Sequence, residues 1–406
     1  MENIIIENFR CFKREQTVHL KPLTLLVGEN STGKTSFLAA IRIANETNIL
    51  YPGEIDFNKD PYLLGAYNEI ANFSGGRSGR ADYFVVGKDY FFSDNLTIRV
   101  LLKFISIKSM PSIEKVSIKI IPGNEWMELL LKNDHPKLTY SNSAPVEHRE
   151  VLYNIIYLMK IFAVHFKLAN LEQEIDNWRR VRVFPSAPVR SAPLRSNDPK
   201  QDIRSTQGDH IPQIIRAIYW EKEKNKPIIN ELDSFGQDSG LYKSLGVASY
   251  GGVTGPFRIN VKISGSQRNI LDVGYGISQV LPIIVEASQF RNGLFLLQQP
   301  EIHLHPRAQA ELGTYFGKQI KSSKKKYIIE THSDYLLDRI RFDIRDQKNG
   351  LTPDDVKLLF FYRKPNNTWV DIHEIDIDKK GDLVNPPSQY REFFAHEQMR
   401  LFNIEG

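Results

Sequence analysis

The chain has 406 residues, 41% of them hydrophobic and 25% charged, with a net charge of +5. That length suits two or three lobes, the composition excludes collagen-like and disordered classes, and so mild a charge does not by itself call for a nucleic-acid ligand. The opening MENIIIENFR has only a short apolar triplet, so neither a signal peptide nor a membrane span is expected, and the expected location is cytoplasmic with no membrane partner.

From the N-terminus, ENIIIENFRCF and QTVHLKPLTLLVGEN read as two strands, the second ending at a glycine-rich turn that opens a helix, STGKTSFLAAIRIANET. Cys11, the single cysteine, lacks partners for a disulfide or a metal site and is expected as a small core residue. Residues 82–121 alternate β-branched and aromatic residues with polar ones and predict an antiparallel sheet of hairpins. Residues 145–180 and 209–234 carry helical periodicity, joined by a Pro/Ser/Arg-rich connection. From FRINVKI onward strands alternate with helices, with no internal repeat and no sustained heptad. These readings divide the chain into an N-terminal phosphate-loop lobe (1–75), an antiparallel β lobe (76–144), a helical lobe and linker (145–253) and a C-terminal lobe (254–406), α/β in class.

Chemistry concentrates in short motifs. GENSTGKT places Gly28, Glu29, Asn30, Ser31, Thr32, Gly33, Lys34 and Thr35, followed by Ser36, between an apolar strand and a helix, the context a phosphate loop requires. Its backbone N–H groups wrap a phosphate, Lys34 neutralises the β/γ oxygens and Thr35 can ligate Mg²⁺, so ATP and Mg²⁺ are the expected cofactors. Asn30 and Arg10 are further phosphate candidates; a plain surface charge is the alternative for Arg10. In DVGYGISQ, Gly274, Gly276, Ser278 and Gln279 precede an apolar helix, which reads either as a serine-capped helix start or as an anion-facing turn.

Together GENSTGKT, DVGYGISQ, LLQQPEIHLHPRAQ and IIETHSDYLL resemble the compact SMC/ABC-like ATPases of bacteria, the RecF and OLD type, and resemble still more the ATPase subunits of anti-phage systems such as Septu and PARIS. The resemblance covers both ends of the chain, about half its length, and implies an ABC/SMC-type P-loop head that sandwiches two ATP molecules in a homodimer. It further implies that Gly276 and Ser278 contact the partner's γ-phosphate, that His332 senses it, and that an effector nuclease is the partner. A RecF-like repair clamp on DNA is the alternative.

The chain departs from that family where Gln298 and Gln299 stand in place of acids that serve the metal and the attacking water. An amide oxygen accepts a hydrogen bond but neither holds a hard cation by charge nor takes a proton, so slow or trapped hydrolysis is expected. Glu330, two residues before His332, is the candidate replacement acid; a structural carboxylate paired with Lys or Arg is its alternative. His303 and His305 make a poor zinc set and read as structural. The acids Asp376 and Asp378 in EIDIDKKGD mimic a nuclease spacing, but too little chain follows His332 for that domain. Two basic clusters remain. Arg179, Arg180, Arg182, Arg190, Arg195, Lys200 and Arg204 read either as a stripe for nucleic-acid phosphates or as a solvated loop, and KSSKKK, 321–326, reads as a solvated loop.

Overall fold

The structure, a computed structural model, describes residues 2–46, 55–73, 79–93, 96–131, 136–147, 154–168, 171, 175, 181–199, 204–250, 252, 255–364 and 367–390. In chain order the elements are β1 (Glu2–Glu7), β2 (Gln16–Leu20), β3 (Leu23–Gly28), α1 (Lys34–Ala44), α2 (Tyr67–Ile70), β4 (Phe84–Ser93), β5 (Leu96–Ile107), β6 (Met110–Ile121), β7 (Trp126–Leu130), β8 (Lys137–Tyr140) and β9 (Ser143–Glu147). There follow α3 (Ile155–His165), β10 (Val183–Ser186), α4 (Ile211–Trp220), α5 (Lys226–Ser239), β11 (Ser244–Ser249), β12 (Phe257–Lys262), β13 (Gln267–Asn269), α6 (Tyr275–Ser288) and β14 (Asn292–Gln298). The chain continues through α7 (Pro306–Ser322), β15 (Lys324–Glu330), α8 (Asp334–Arg345), β16 (Val356–Tyr362), β17 (Asp371–Ile377) and β18 (Leu383–Val384).

Two large sheets organise these elements. One is antiparallel, in the order β2-β1-β4-β5-β6-β7-β8-β9, and the other runs β10-β14-β15-β3-β16-β17-β18, with β11-β12-β13 as a small third sheet. The second sheet is parallel from β10 through β16 and antiparallel beyond it. The inner strands β14, β3 and β16 carry apolar runs because both of their faces are covered. On β14, Leu294 and Leu296 pack into the core shared with the antiparallel sheet and α1, while Phe295 and Leu297 pack into the core under α6, α7 and α8. The same alternation divides Ile328 from Tyr327 and Ile329 on β15.

One reading needs correction at the start. QTVHLKPLTLLVGEN is two strands in two different sheets, β2 and β3, separated by Lys21 and Pro22. Pro22 lacks an N–H for a continuous ladder, and the Thr24 hydroxyl both donates to the Lys21 carbonyl at 2.8 Å and accepts from the Lys21 N–H at 3.1 Å, which fixes the corner. The helical stretch 209–234 likewise breaks at Glu221–Asn225, so α5 starts afresh with Pro227 in its first turn, where a missing N–H costs nothing. In the stretch 145–180, the described helix is α3; most of residues 169–180 lie outside the described residues.

Candidate functional site

The loop between β3 and α1 is shaped by its glycines. Gly28 has φ 139° and Gly33 has φ 92°, and a Cβ on either would collide, at Gly28 with the Phe361 carbonyl oxygen of β16 and at Gly33 with the Cys11 thiol. Ser31 is also left-handed, at φ 60°. The loop therefore lies pressed onto β16 and onto Cys11 and Phe12, and α1 begins at Lys34 with no side-chain cap and no acid in its first turn. Its first N–H groups are left for an anion, which fits the phosphates that the motif implies. Lys34, 3% exposed, donates to the Gly28 carbonyl at 2.9 Å and the Glu29 carbonyl at 2.7 Å, and burial lowers its pKa against the pull of Glu330 and Glu29. Thr32 donates to the Glu29 carbonyl at 2.7 Å and holds the turn.

Over this loop opens a cavity of about 570 Å³ lined by Lys34, Thr35, Ser36, Glu330, Arg10 and Phe73, among others. The Thr35 hydroxyl donates to Glu330 Oε2 at 2.7 Å. Burial raises the pKa of Glu330, and the Thr35 bond and the Lys34 charge oppose that rise. Two hard oxygens side by side at a phosphate cradle suit Mg²⁺, which takes one or two protein oxygens and completes its shell with phosphate and water. Gln298 sits on β14 in register with Glu330 on β15, buried, and the Tyr62 hydroxyl lies beside its side chain. Gln299 leaves the strand at φ 43° and donates its backbone N–H to the Glu330 carbonyl at 2.8 Å. His332 is exposed just past β15, and partial burial and the Lys34 ammonium depress its pKa. Glu301 Oε1 accepts the His332 backbone N–H at 2.8 Å.

The far wall joins Arg10, a phosphate candidate of the sequence, to Phe73 and Arg80, which the sequence motifs do not include. Arg80 lies 5.1 Å over the Phe73 ring and donates to the Ala71 carbonyl at 3.1 Å, while Arg10, at φ 53°, donates to the Glu69 carbonyl at 3.2 Å. An aromatic followed by a glycine-arginine stretch, NFSGGRSGR, was the available signal. Asn30 is exposed on the loop and does not line the cavity. Cys11 is partly buried against the core and also lines the cavity, its thiol pushed by burial up to about 11.

The Gly274–Gln279 turn is apart from this cavity. Its helix cap is Gly274 and not Ser278, whose buried hydroxyl donates back to the Tyr275 carbonyl at 2.7 Å; a serine four residues inside the helix start reaches that carbonyl more readily than the free N–H groups ahead of it. Gln279 is buried and turns inward to the Arg190 backbone at 3.2 Å. Gly274 faces open space, whereas a Cβ on Gly276 would meet the His303 carbonyl oxygen.

The structure pairs or buries the described charges of the first basic cluster and corrects the reading of the second. Arg190 is 2% exposed, Arg195 pairs with Asp272 at 2.7 Å, Arg204 pairs with Glu286 at 2.8 Å, and Arg182 and Arg204 lie over the Phe290 ring. Arg190 is drawn into the core, Arg195 is paired at the surface, and an acid or an aromatic face takes Arg204 and Arg182; Arg179, Arg180 and Lys200 lie outside the described residues. KSSKKK is not a loop but the end of α7 and the start of β15. Lys321 pairs with Asp355, Lys325 is buried against Gln319, and Lys326 reaches Glu2. His305 caps α7 and His303 packs edge-on to Tyr275, while Asp376 pairs with Lys21 and Lys357. Among the described residues no three metal-binding side chains gather, and no helix is long and apolar enough to cross a membrane.

No curated protein matches the chain. Among solved structures it is similar to an SMC head bound to the C-winged helix domain of ScpA, at 11% identity over 93% of this chain and 98% of that one, TM-score 0.47. It is similar to the SMC head domain from Thermotoga maritima at 11% identity over 92% and 98%, TM-score 0.41. The Smc head with an extended coiled coil bound to the C-terminal domain of ScpA from Pyrococcus furiosus gives 10% identity over 98% and 100%, TM-score 0.46. Likeness that loose leaves the assignment to the sequence itself, which matches the family described as AAA ATPase domain over residues 1–179 and 197–337. That match runs through the phosphate loop, the Gly274–Gln279 turn and the strand bearing Glu330, and by it the chain belongs to the AAA ATPase domain family, whose members are ATPases that bind ATP with a divalent metal.

Proposed function

We propose that the chain is an ATP-dependent switch: two copies close head to tail around two ATP molecules, and the closed pair controls an effector nuclease in a bacterial anti-phage system. The observation that carries closure is a separation. The Gly274–Gln279 turn shares no wall with the chain's own phosphate cavity, yet Gly274 and Tyr275 stand exposed at the start of α6, available to the cavity of a second copy. Mg-ATP supplies the terminal phosphate whose presence distinguishes the closed from the open state.

The residues divide the work. Lys34 and the first N–H groups of α1 hold the phosphates, Thr35 and Glu330 hold the divalent cation, and His332 beside Lys34 faces the terminal phosphate. The Phe73 ring under Arg80 offers a flat face to the base. Gln299 cannot take a proton, so turnover is slow and the closed state long-lived. The defence role rests on the resemblance of the four motifs to those of anti-phage ATPase subunits. A separate nuclease partner accords with Asp376 being committed to Lys21 and Lys357.

Gly274→Arg tests closure. Nothing surrounds that Cα and its φ of −57° suits any residue, so the fold should tolerate the side chain while a partner would not. Light scattering with Mg-ATP should show a dimer for the parent and a monomer for the variant, both binding ATP equally. A variant that still dimerises removes the turn from the interface. Phage plating on cells carrying the parent or Lys34→Ala tests the biological half; equal plating with a DNA-repair defect in its place would favour a repair clamp.

A further inference from the structure

Arg190 stands at the junction of the two halves of the site. Its main chain is held on both sides by one amide: the Arg190 N–H donates to Gln279 Oε1 at 3.2 Å, and Gln279 Nε2 donates to the Arg190 carbonyl at 3.4 Å. Its side chain crosses to the other half, with Nη2 donating to the Gln298 carbonyl at 3.2 Å and Nε to Ser186 Oγ at 3.4 Å. The carboxylate of Glu301 faces it and draws on its charge, although no ion pair closes between them, and burial takes the Arg190 pKa down to about 10. Glu301 in turn holds the His332 backbone N–H.

A guanidinium and a carboxylate this deeply buried, facing each other without direct contact, are costly for a fold that could have used apolar residues. Among the described residues, Arg190 Nη1 and Glu301 Oε2 both lack a hydrogen-bond partner; the Thr331 hydroxyl approaches Glu301 without completing one. The pair is therefore incompletely satisfied, while its satisfied bonds reach Gln279 of the turn, Gln298 at the end of β14, Ser186 of β10 and the His332 N–H. From Gln279 the path runs to the turn offered to a second copy. From Gln298 and Glu301 it runs to the end of β14 and to His332, which feels the charge of Lys34 in the chain's own phosphate loop.

We propose that Arg190 is a positioning residue that couples the Gly274–Gln279 turn to His332 through Gln279 and Glu301, so that the presence of a terminal phosphate in one cavity sets the placement of the turn that serves the other. The inference rests on the nucleotide-site reading above, and it names the internal connection that reading lacks. Contiguity alone does not establish coupling, so the test separates coupling from support of the fold.

Four proteins are compared: the parent, Arg190→Met, Arg190→Met with Glu301→Gln, and Gln279→Met. Each is melted and then titrated with Mg-ATP and Mg-ADP. Arg190→Met alone strands the Glu301 charge and should melt early; the double variant removes both charges and should recover most of that loss. The parent should prefer ATP to ADP. In the double variant and in Gln279→Met that preference should fall by about tenfold, within the range of coupled sites, with ADP affinity unchanged. A double variant, or a Gln279→Met protein, that keeps the parent's ATP-to-ADP ratio would show Arg190 to be structural only and overturn the inference while leaving the nucleotide site standing. A parent that binds neither nucleotide would remove the site reading and the inference together.

Discussion

The Thr35 hydroxyl and the Glu330 carboxylate meet at 2.7 Å, one from the first turn of α1 and one from the end of β15. On the function proposed above, this bond makes Glu330 the acid of the site, one strand away from Gln298. Glu330→Gln should therefore lower Mg²⁺-dependent phosphate release by about 10²–10⁴-fold with ATP still bound. Gln298→Glu sets a second carboxylate in register beside Glu330 and should raise the rate far less than Glu330→Gln lowers it. Phosphate release measured across a Mg²⁺ series decides it: a Glu330→Gln protein with parental turnover would return the metal to another residue.

Lys34 should show opposite signs in two assays. Its buried ammonium has a depressed pKa, so the fold is disfavoured by that charge at neutral pH, and Lys34→Met should not lower the melting temperature of the nucleotide-free protein. ATP affinity should nevertheless fall below detection by calorimetry. A variant that binds ATP as the parent does would take Lys34 out of the cradle.

Gly28 and Gly33 should differ although both are left-handed. A Cβ at Gly28 meets main chain of the neighbouring strand β16, which cannot retreat without breaking the ladder, whereas at Gly33 it meets the Cys11 side chain. Gly28→Ala should cost more than about 3 kcal/mol and Gly33→Ala roughly 1–2 kcal/mol by urea denaturation. Adding Cys11→Ala should recover part of the second loss and none of the first.

Glu2 should govern part of the acid sensitivity. Its burial favours the neutral acid, but Lys326 at 2.8 Å and Lys88 at 3.3 Å outweigh that and hold its pKa down from 4.5 to about 2. A depressed carboxyl stabilises the fold above its unfolded pKa, and the contribution disappears as the pH falls from 4.5 toward 2. The parent should lose on the order of 3 kcal/mol in that window. Glu2→Gln should be less stable at neutral pH and should lack that component of the decline; matching urea midpoints for the two proteins from pH 7 to pH 2 would refute the assignment.

Local chemistry was legible in the sequence wherever one stretch of chain does the whole job. The GENSTGKT turn is held by its own Thr32 and Lys34 bonds to the Gly28 and Glu29 carbonyls, and the hairpins of 82–121 follow from alternation alone. Choices made by distant chain were not legible. Arg190 and Arg195 sit in one basic run, yet Gln279 and Gln298 draw the first into the core while Asp272 holds the second at the surface. Lys325 reads as loop because charge outweighs the β15 pattern on paper; Gln319, one helix earlier, gives its ammonium a buried acceptor. Phe73 and Arg80 escaped notice because their meaning comes from the phosphate loop that they overhang.

The position of β3 carries a consequence for how the protein is made. This early strand lies between β15 and β16, both supplied by the last part of the chain. Most of the antiparallel sheet, built from consecutive hairpins, can assemble as it leaves the ribosome, but β3 must wait with both edges unpaired until β15 and β16 emerge. Pairing over such sequence separation is slow and leaves apolar strand edges open to misassociation. The cradle that ends β3 is thus among the last features to form, and a ribosome-stalled chain ending before Lys324 should expose β3 to protease and fail to retain ATP.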